Sequence, residues 1–181
     1  MNKLERYLHR NTCFNKKLGE TKSPYSIKTK EKLLKLAKEN KILVNSGEAK
    51  RCKTNGLQRF IDDDKFDSLV SIADKNNYLP ILAHEIGHAI TLKKRPWLNR
   101  ICKKARYWEN KQKESNYFKN WFMATWIFRF VVWSEYLATK KGLELLEECE
   151  YPGLQTARRH LKLALGTYVS SYRYYRKLYN Y

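Results

Sequence analysis

The chain has 181 residues, long enough for one domain with a packed core and too short to expect two. Hydrophobic residues make up 43% of it, which excludes a disordered polymer. Its 37 Lys and Arg against 18 Asp and Glu give a net charge of +19, a field that attracts nucleic acid, anionic membrane or acidic protein without choosing among them.

Residues 1–24 are basic and polar, with Leu4, Leu8, Phe14 and Leu18 as isolated apolar positions, and are read as a surface helix or arm that Pro24 ends. The start, Met-Asn-Lys-Leu-Glu-Arg, is charged and has no apolar h-region, so no secretory signal and a cytoplasmic location are expected. Cys13, Cys52, Cys102 and Cys149 are scattered, with no Cys-x-x-Cys pair, as reduced packing thiols would be. Residues 25–181 are read as a single domain. Ser26 suits the N-cap of a helix reaching about Asn40, with Leu33, Leu34 and Ala37 inward. Lys41 to Asn45 has the aliphatic content of a short strand, closed by Ser46-Gly47, and a helix or loop is expected over 48–60. Asp62-Asp63-Asp64 lacks the alternating ligands, central Gly and distal Glu of a calcium loop and reads as a solvated turn. Phe66 to Ala73 reads as a second strand, placed as a sheet edge where a peptide could pair by backbone hydrogen bonds.

The next helix is expected to start near Pro80 and to stop at Lys93-Lys94-Arg95, before Pro96. It carries Ala83-His84-Glu85-Ile86-Gly87-His88-Ala89, a His-Glu-x-x-His signature in apolar sequence. Residues four apart share a helix face, so His84 and His88 can reach one metal ion, the arrangement zinc takes from two imidazoles. Glu85 beside them is the candidate general base, able to take a proton from metal-bound water. A helical stripe at Trp97, Ile101, Ala105 and Trp108 follows, with a basic outer face.

From Tyr117 to Leu146 a three-four alternation runs through Phe118, Trp121, Thr125, Phe128, Val132, Glu135, Thr139, Gly142 and Leu146. Glu135 is the single charge on that stripe, and a buried carboxylate needs a cation or a metal as partner. Two histidines need a third protein ligand, and a glutamate on a later helix is a standard solution for zinc. Glu109, Glu114, His160 and His9 are the rivals, with Glu109 second choice; His160 could stabilise an oxyanion if it faces the metal. The apolar stretch from Trp121 to Trp133 is only thirteen residues long, too short for the roughly 20 needed to span a bilayer. It suits a core helix, or an interfacial one resting on anionic lipid. Pro152-Gly153 breaks the chain before a last helix from Thr156, with Ala157, Leu161, Ala164, Leu165, Tyr168, Tyr172 and Tyr175 inward.

Three segments together resemble one family: Ala-His-Glu-Ile-Gly-His-Ala-Ile, then Ser-Glu-Tyr-Leu-Ala-Thr-Lys-Lys-Gly-Leu-Glu-Leu-Leu, then Thr-Ala-Arg-Arg-His-Leu-Lys-Leu-Ala-Leu-Gly-Thr-Tyr-Val. They look like the neutral zinc metallopeptidases of bacteria, the YugP-like group, over roughly residues 66–171. That family's ligand segment reads Glu-x-Asp-Ala-Ser. The resemblance implies a gluzincin-type site with His84, His88 and Glu135 on Zn²⁺ and Glu85 as base. The chain departs from the family at Leu137, where the family has an acid, and in lacking its long hydrophobic spans. A Lys-, Asn- and Tyr-rich composition suits an AT-rich genome such as that of a phage.

The expected fold is therefore α+β and mostly helical, a zincin-like domain with a small sheet beside the motif helix. The expected activity is zinc-dependent hydrolysis of peptide or protein substrates, acidic ones favoured by the basic surface, with peripheral contact to anionic membrane or nucleic acid. The alternative from another class is a basic nucleic-acid- or membrane-binding protein in which the motif is structural or relic.

Overall fold

The computed structural model of the chain describes residues 24–46, 56–61, 64–72, 79–112 and 121–179. The arm at 1–23, Cys13, Cys52 and Asp62-Asp63 lie outside the described residues. The fold is α+β and mostly helical, as its sequence implies. Helix α1 (Pro24–Glu39) begins at the proline expected to end the arm, because Pro is preorganised for a first helical turn. Leu33 and Ala37 are buried but Leu34, expected inward, is exposed. Lys41 closes the helix in the left-handed region at φ 57°.

Three strands follow: β1 (Ile42–Ser46), β2 (Gly56–Phe60) and β3 (Ser68–Ile72). Their order is β1-β3-β2, with β1 parallel and β2 antiparallel to β3. Val70 pairs with Val44 on one side and Gln58 on the other. The strand at 66–73 is thus central and not the expected edge, and every residue of β3 is buried, Ser68 and Ser71 included. β2 replaces the helix or loop expected over 48–60 and is one of the sheet's two edges among the described residues.

Helix α2 (Leu79–Lys93) packs on β2 and β3 and against a long later helix, α4 (Trp121–Glu148), and eleven of its fifteen residues are buried. A helix apolar on nearly every side belongs in a core, not on a surface. Leu82, Ile86 and Leu146, all buried, join Val70 of the sheet in one cluster, each contributing about 2 kcal/mol by removal from water. Helix α3 (Pro96–Gln112) crosses next to α4 (Trp121–Glu148), and α5 (Leu154–Tyr179) runs back along α4.

Two expected phases shift. On α3, Leu98 and Cys102 are buried with Leu92, Phe60, Phe130 and Leu137, while Trp97, the first residue of the expected inward stripe, is exposed. On α5, Ala157 and Leu161 are buried as expected, but Ala164 and Tyr168 are exposed, because the core they would face stops one turn earlier. On α4 the phase holds from Glu135 onward, where Glu135, Thr139, Gly142 and Leu146 are all buried; Val132 is half-buried, Phe118 lies outside the described residues, and so do the side chains of Trp121, Thr125 and Phe128. α4 ends in a Schellman turn, Tyr151 N–H donating to the Leu146 carbonyl at 2.9 Å and Glu150 N–H to that of Glu147 at 2.9 Å. Among the described residues no helix is long and apolar enough to cross a membrane.

Candidate metal centre

The site sits where α2 and α4 touch backbone to backbone. A Cβ added at Gly87 would lie 2.5 Å from the Ala138 carbonyl oxygen, and one at Gly142 would lie 2.9 Å from the His84 amide nitrogen. Both distances are shorter than any real Cβ contact, so only glycine at these two places permits the approach. Ala83 and Ala138, both buried, keep the rest of the seam thin. The side chains that emerge beside the seam are then forced together across it.

Those side chains are His84 and His88 from α2 and Glu135 from α4. Nε2 of His84 and Nε2 of His88 each lie 3.2 Å from the same oxygen, Oε2 of Glu135. The two rings stand nearly perpendicular, at 85°, with centroids 4.7 Å apart. The side chains are 16% (His84), 6% (His88) and 7% (Glu135) exposed, so what solvent access there is falls mainly on His84. One ligand atom from each residue lies within 4.8 Å of the others, and the three can hold one metal ion. Ligands of a tetrahedral zinc at about 2.0–2.1 Å stand about 3.3 Å apart, close to the 3.2 Å between each histidine Nε2 and Glu135 Oε2.

Electrostatics agree with an anionic ligand. Burial alone would raise the Glu135 pKa, but the charge of His88, hydrogen bonds from both rings and the charge of His84 outweigh it and hold the carboxyl well below the usual carboxylate range. His84 has a further contact: its Nδ1 lies 3.4 Å from Oγ1 of Thr139, one turn beyond Glu135 on α4. When Nδ1–H donates to that hydroxyl, the Nε2 lone pair faces the Glu135 carboxylate. Two acceptors 3.2 Å apart are favourable only with a proton or a cation between them.

Glu85, the expected base, is half-buried on α2 next to His84. Among the described residues His84, His88 and Glu135 form the one group able to hold a metal. His160 is half-buried on α5, its pKa lowered by burial, and is not part of that group. Glu114 and His9 lie outside the described residues, as does the side chain of Glu109 on α3. Leu137, where the resembled family has an acid, is half-buried and packs against the apolar cluster of Leu92, Leu98 and Cys102. Sequence reasoning gave no role to Gly87 or Thr139. The available signal was their spacing: Thr139 follows Glu135 by one turn, and Gly87 precedes His88 directly.

No protein-family model, curated protein or solved structure matches the chain.

Proposed function

We propose that the chain is a zinc-dependent metallopeptidase of the gluzincin type, as its likeness to the YugP-like enzymes implies. The observation that carries this reading is the convergence of both histidine Nε2 atoms on one Glu135 oxygen, each at 3.2 Å, across two helices. A structural zinc site fills all four positions with protein ligands, whereas three ligands leave one for water and substrate, the pattern of catalytic zinc. Zinc bound there would polarise a scissile carbonyl and acidify a water.

The protein's own contribution is to hold and orient. Gly87 and Gly142 set the helix separation, and Thr139 fixes the His84 ring. Glu85 then takes a proton at its carboxylate and returns it to the leaving amine. An extended substrate would add a strand to a sheet edge, and β2, an edge strand among the described residues, is the one that packs on α2. The net charge of +19 favours acidic segments of substrate by electrostatic steering.

The test is Glu85→Gln assayed on a denatured acidic protein such as casein. Zinc content equal to the parent with hydrolysis reduced by about a thousandfold or more supports the assignment. Undiminished hydrolysis by the variant, or a zinc-loaded parent that cleaves nothing, contradicts it.

A further inference from the structure

The stripe of α3 that faces outward meets the outward face of α4 in a patch of aromatic rings. Trp97 is 47% exposed, Trp133 38% and Tyr136 50%. Trp97 packs edge-on against Phe130 at 5.9 Å and tilted against Trp133 at 5.6 Å, so the rings form one continuous surface. Large aromatics exposed together in this way mark an interaction site more often than a tolerated surface.

The described charges that recur in register with these rings are cationic. Arg100 and Lys104 recur with Trp97 at three- and four-residue steps on α3, and Arg129 and Lys140 recur with Trp133 and Tyr136 on α4; all four cations are exposed. Between Lys93 and Tyr107 the sequence holds seven cations and no acid. Trp and Tyr rings with a cationic rim match the interface of an anionic bilayer, where the rings sit at headgroup depth and Lys and Arg meet lipid phosphates. Single-stranded nucleic acid also takes aromatics and cations, but it stacks bases on open, separated ring faces. Here Trp97 is packed edge-on to Phe130 and tilted against Trp133, so neighbouring rings partly cover it.

We propose that this aromatic and basic face of α3 and α4 docks the protein peripherally on anionic membrane surfaces. Docking is by surface contact, since no described helix is long and apolar enough to cross. Trp133 and Tyr136 lie around α4 from the face that carries Glu135 to α2, so a docked molecule keeps its metal group clear of the lipid. The inference stands independently of any hydrolytic activity.

The experiment is co-sedimentation of the full chain with vesicles of mixed phosphatidylglycerol and phosphatidylcholine, against vesicles of phosphatidylcholine alone. Binding to the anionic vesicles only, weakening as salt rises, is expected. It should fall by about tenfold or more in Trp97→Ser/Trp133→Ser and by about twentyfold in Arg100→Glu/Lys104→Glu. The charge-reversal variant changes only exposed side chains, and unchanged circular dichroism verifies its fold. Anionic-vesicle binding undiminished in that folded variant overturns the proposal. So does a preference for a single-stranded oligonucleotide whose affinity is lost in the same variants, which would assign the face to nucleic acid.

Discussion

The two faces of α4 are built by opposite means. Toward α2 the helix presents Glu135, Ala138, Thr139 and Gly142, and side-chain volume is removed until backbones touch. Away from the core it presents Arg129, Trp133, Tyr136 and Lys140, all four exposed, and volume and charge are added. The thin face brings donor atoms from separate helices to within hydrogen-bonding distance. The bulky face leaves Trp133 and Tyr136 exposed. One helix therefore carries a buried chemical centre and an exposed aromatic one, and changes at neighbouring positions should have unlike consequences.

The largest effect is expected at the seam. Gly87→Ala drives a methyl into the Ala138 carbonyl, a backbone atom that cannot swing aside. The variant should lose about 2–3 kcal/mol in urea unfolding and bind zinc more weakly, because Glu135 moves with α4. Equal stability and equal zinc affinity would mean that the two helices are not in the contact described.

Next comes Thr139→Val, close to isosteric, which removes the oxygen that orients His84. Zinc affinity in a competition titration should fall by about tenfold, while the midpoint of unfolding of the metal-free protein moves little.

How much of this was legible in the sequence depends on whether a signal is local. His84 and His88 are one helical turn apart, so their shared face follows from spacing alone. Glu135 was reached because it is a charge in phase with an apolar stripe, and the structure places it in that phase. Strand β2 was not legible. Gly-Leu-Gln-Arg-Phe is five residues long, its two apolar side chains three apart and so without alternation, and it is a strand because β3 lies beside it. Nor could the alternation in 66–73 reveal that β3 is flanked on both sides, since strand order comes from pairings distant in sequence. On α3 the period was correct and the face was not. Trp97 and Ile101 carry more apolar area than Leu98 and Cys102, yet the smaller pair fills the space beside Leu92 and the larger pair is turned outward or left half-covered. Hydrophobicity alone ranks the faces in the wrong order where the bulky one serves a surface.

A smaller effect of opposite sign sharpens the contrast with the seam. Gly166, in the middle of α5, has nothing within 4 Å of where a Cβ would stand. Gly166→Ala should raise stability by about 0.5–1 kcal/mol, through helix propensity and a less flexible unfolded chain, with zinc binding unaltered. Destabilisation there would show that α5 is packed along a length the structure leaves open.

The smallest effect belongs to the exposed pair of Asp67 and Lys93, which ties the segment before β3 to the end of α2. The Lys93 hydrogen bond is the chief reason the Asp67 carboxyl is held below its ordinary value. A folded-state pKa lowered in this way contributes stability above the unfolded value near 3.9 and loses it as pH falls through the folded value. Asp67→Asn should therefore be slightly less stable than the parent at neutral pH and indistinguishable from it once both are well below about pH 3.

The central claim is that His84, His88 and Glu135 are three ligands of one zinc ion, and equilibrium dialysis with zinc at neutral pH tests it most directly. The account predicts one tightly bound zinc per chain, with affinity reduced by more than about a hundredfold in both His84→Ala and Glu135→Ala. A folded parent protein that binds no zinc, or a Glu135→Ala variant that binds it as tightly as the parent, would contradict the claim.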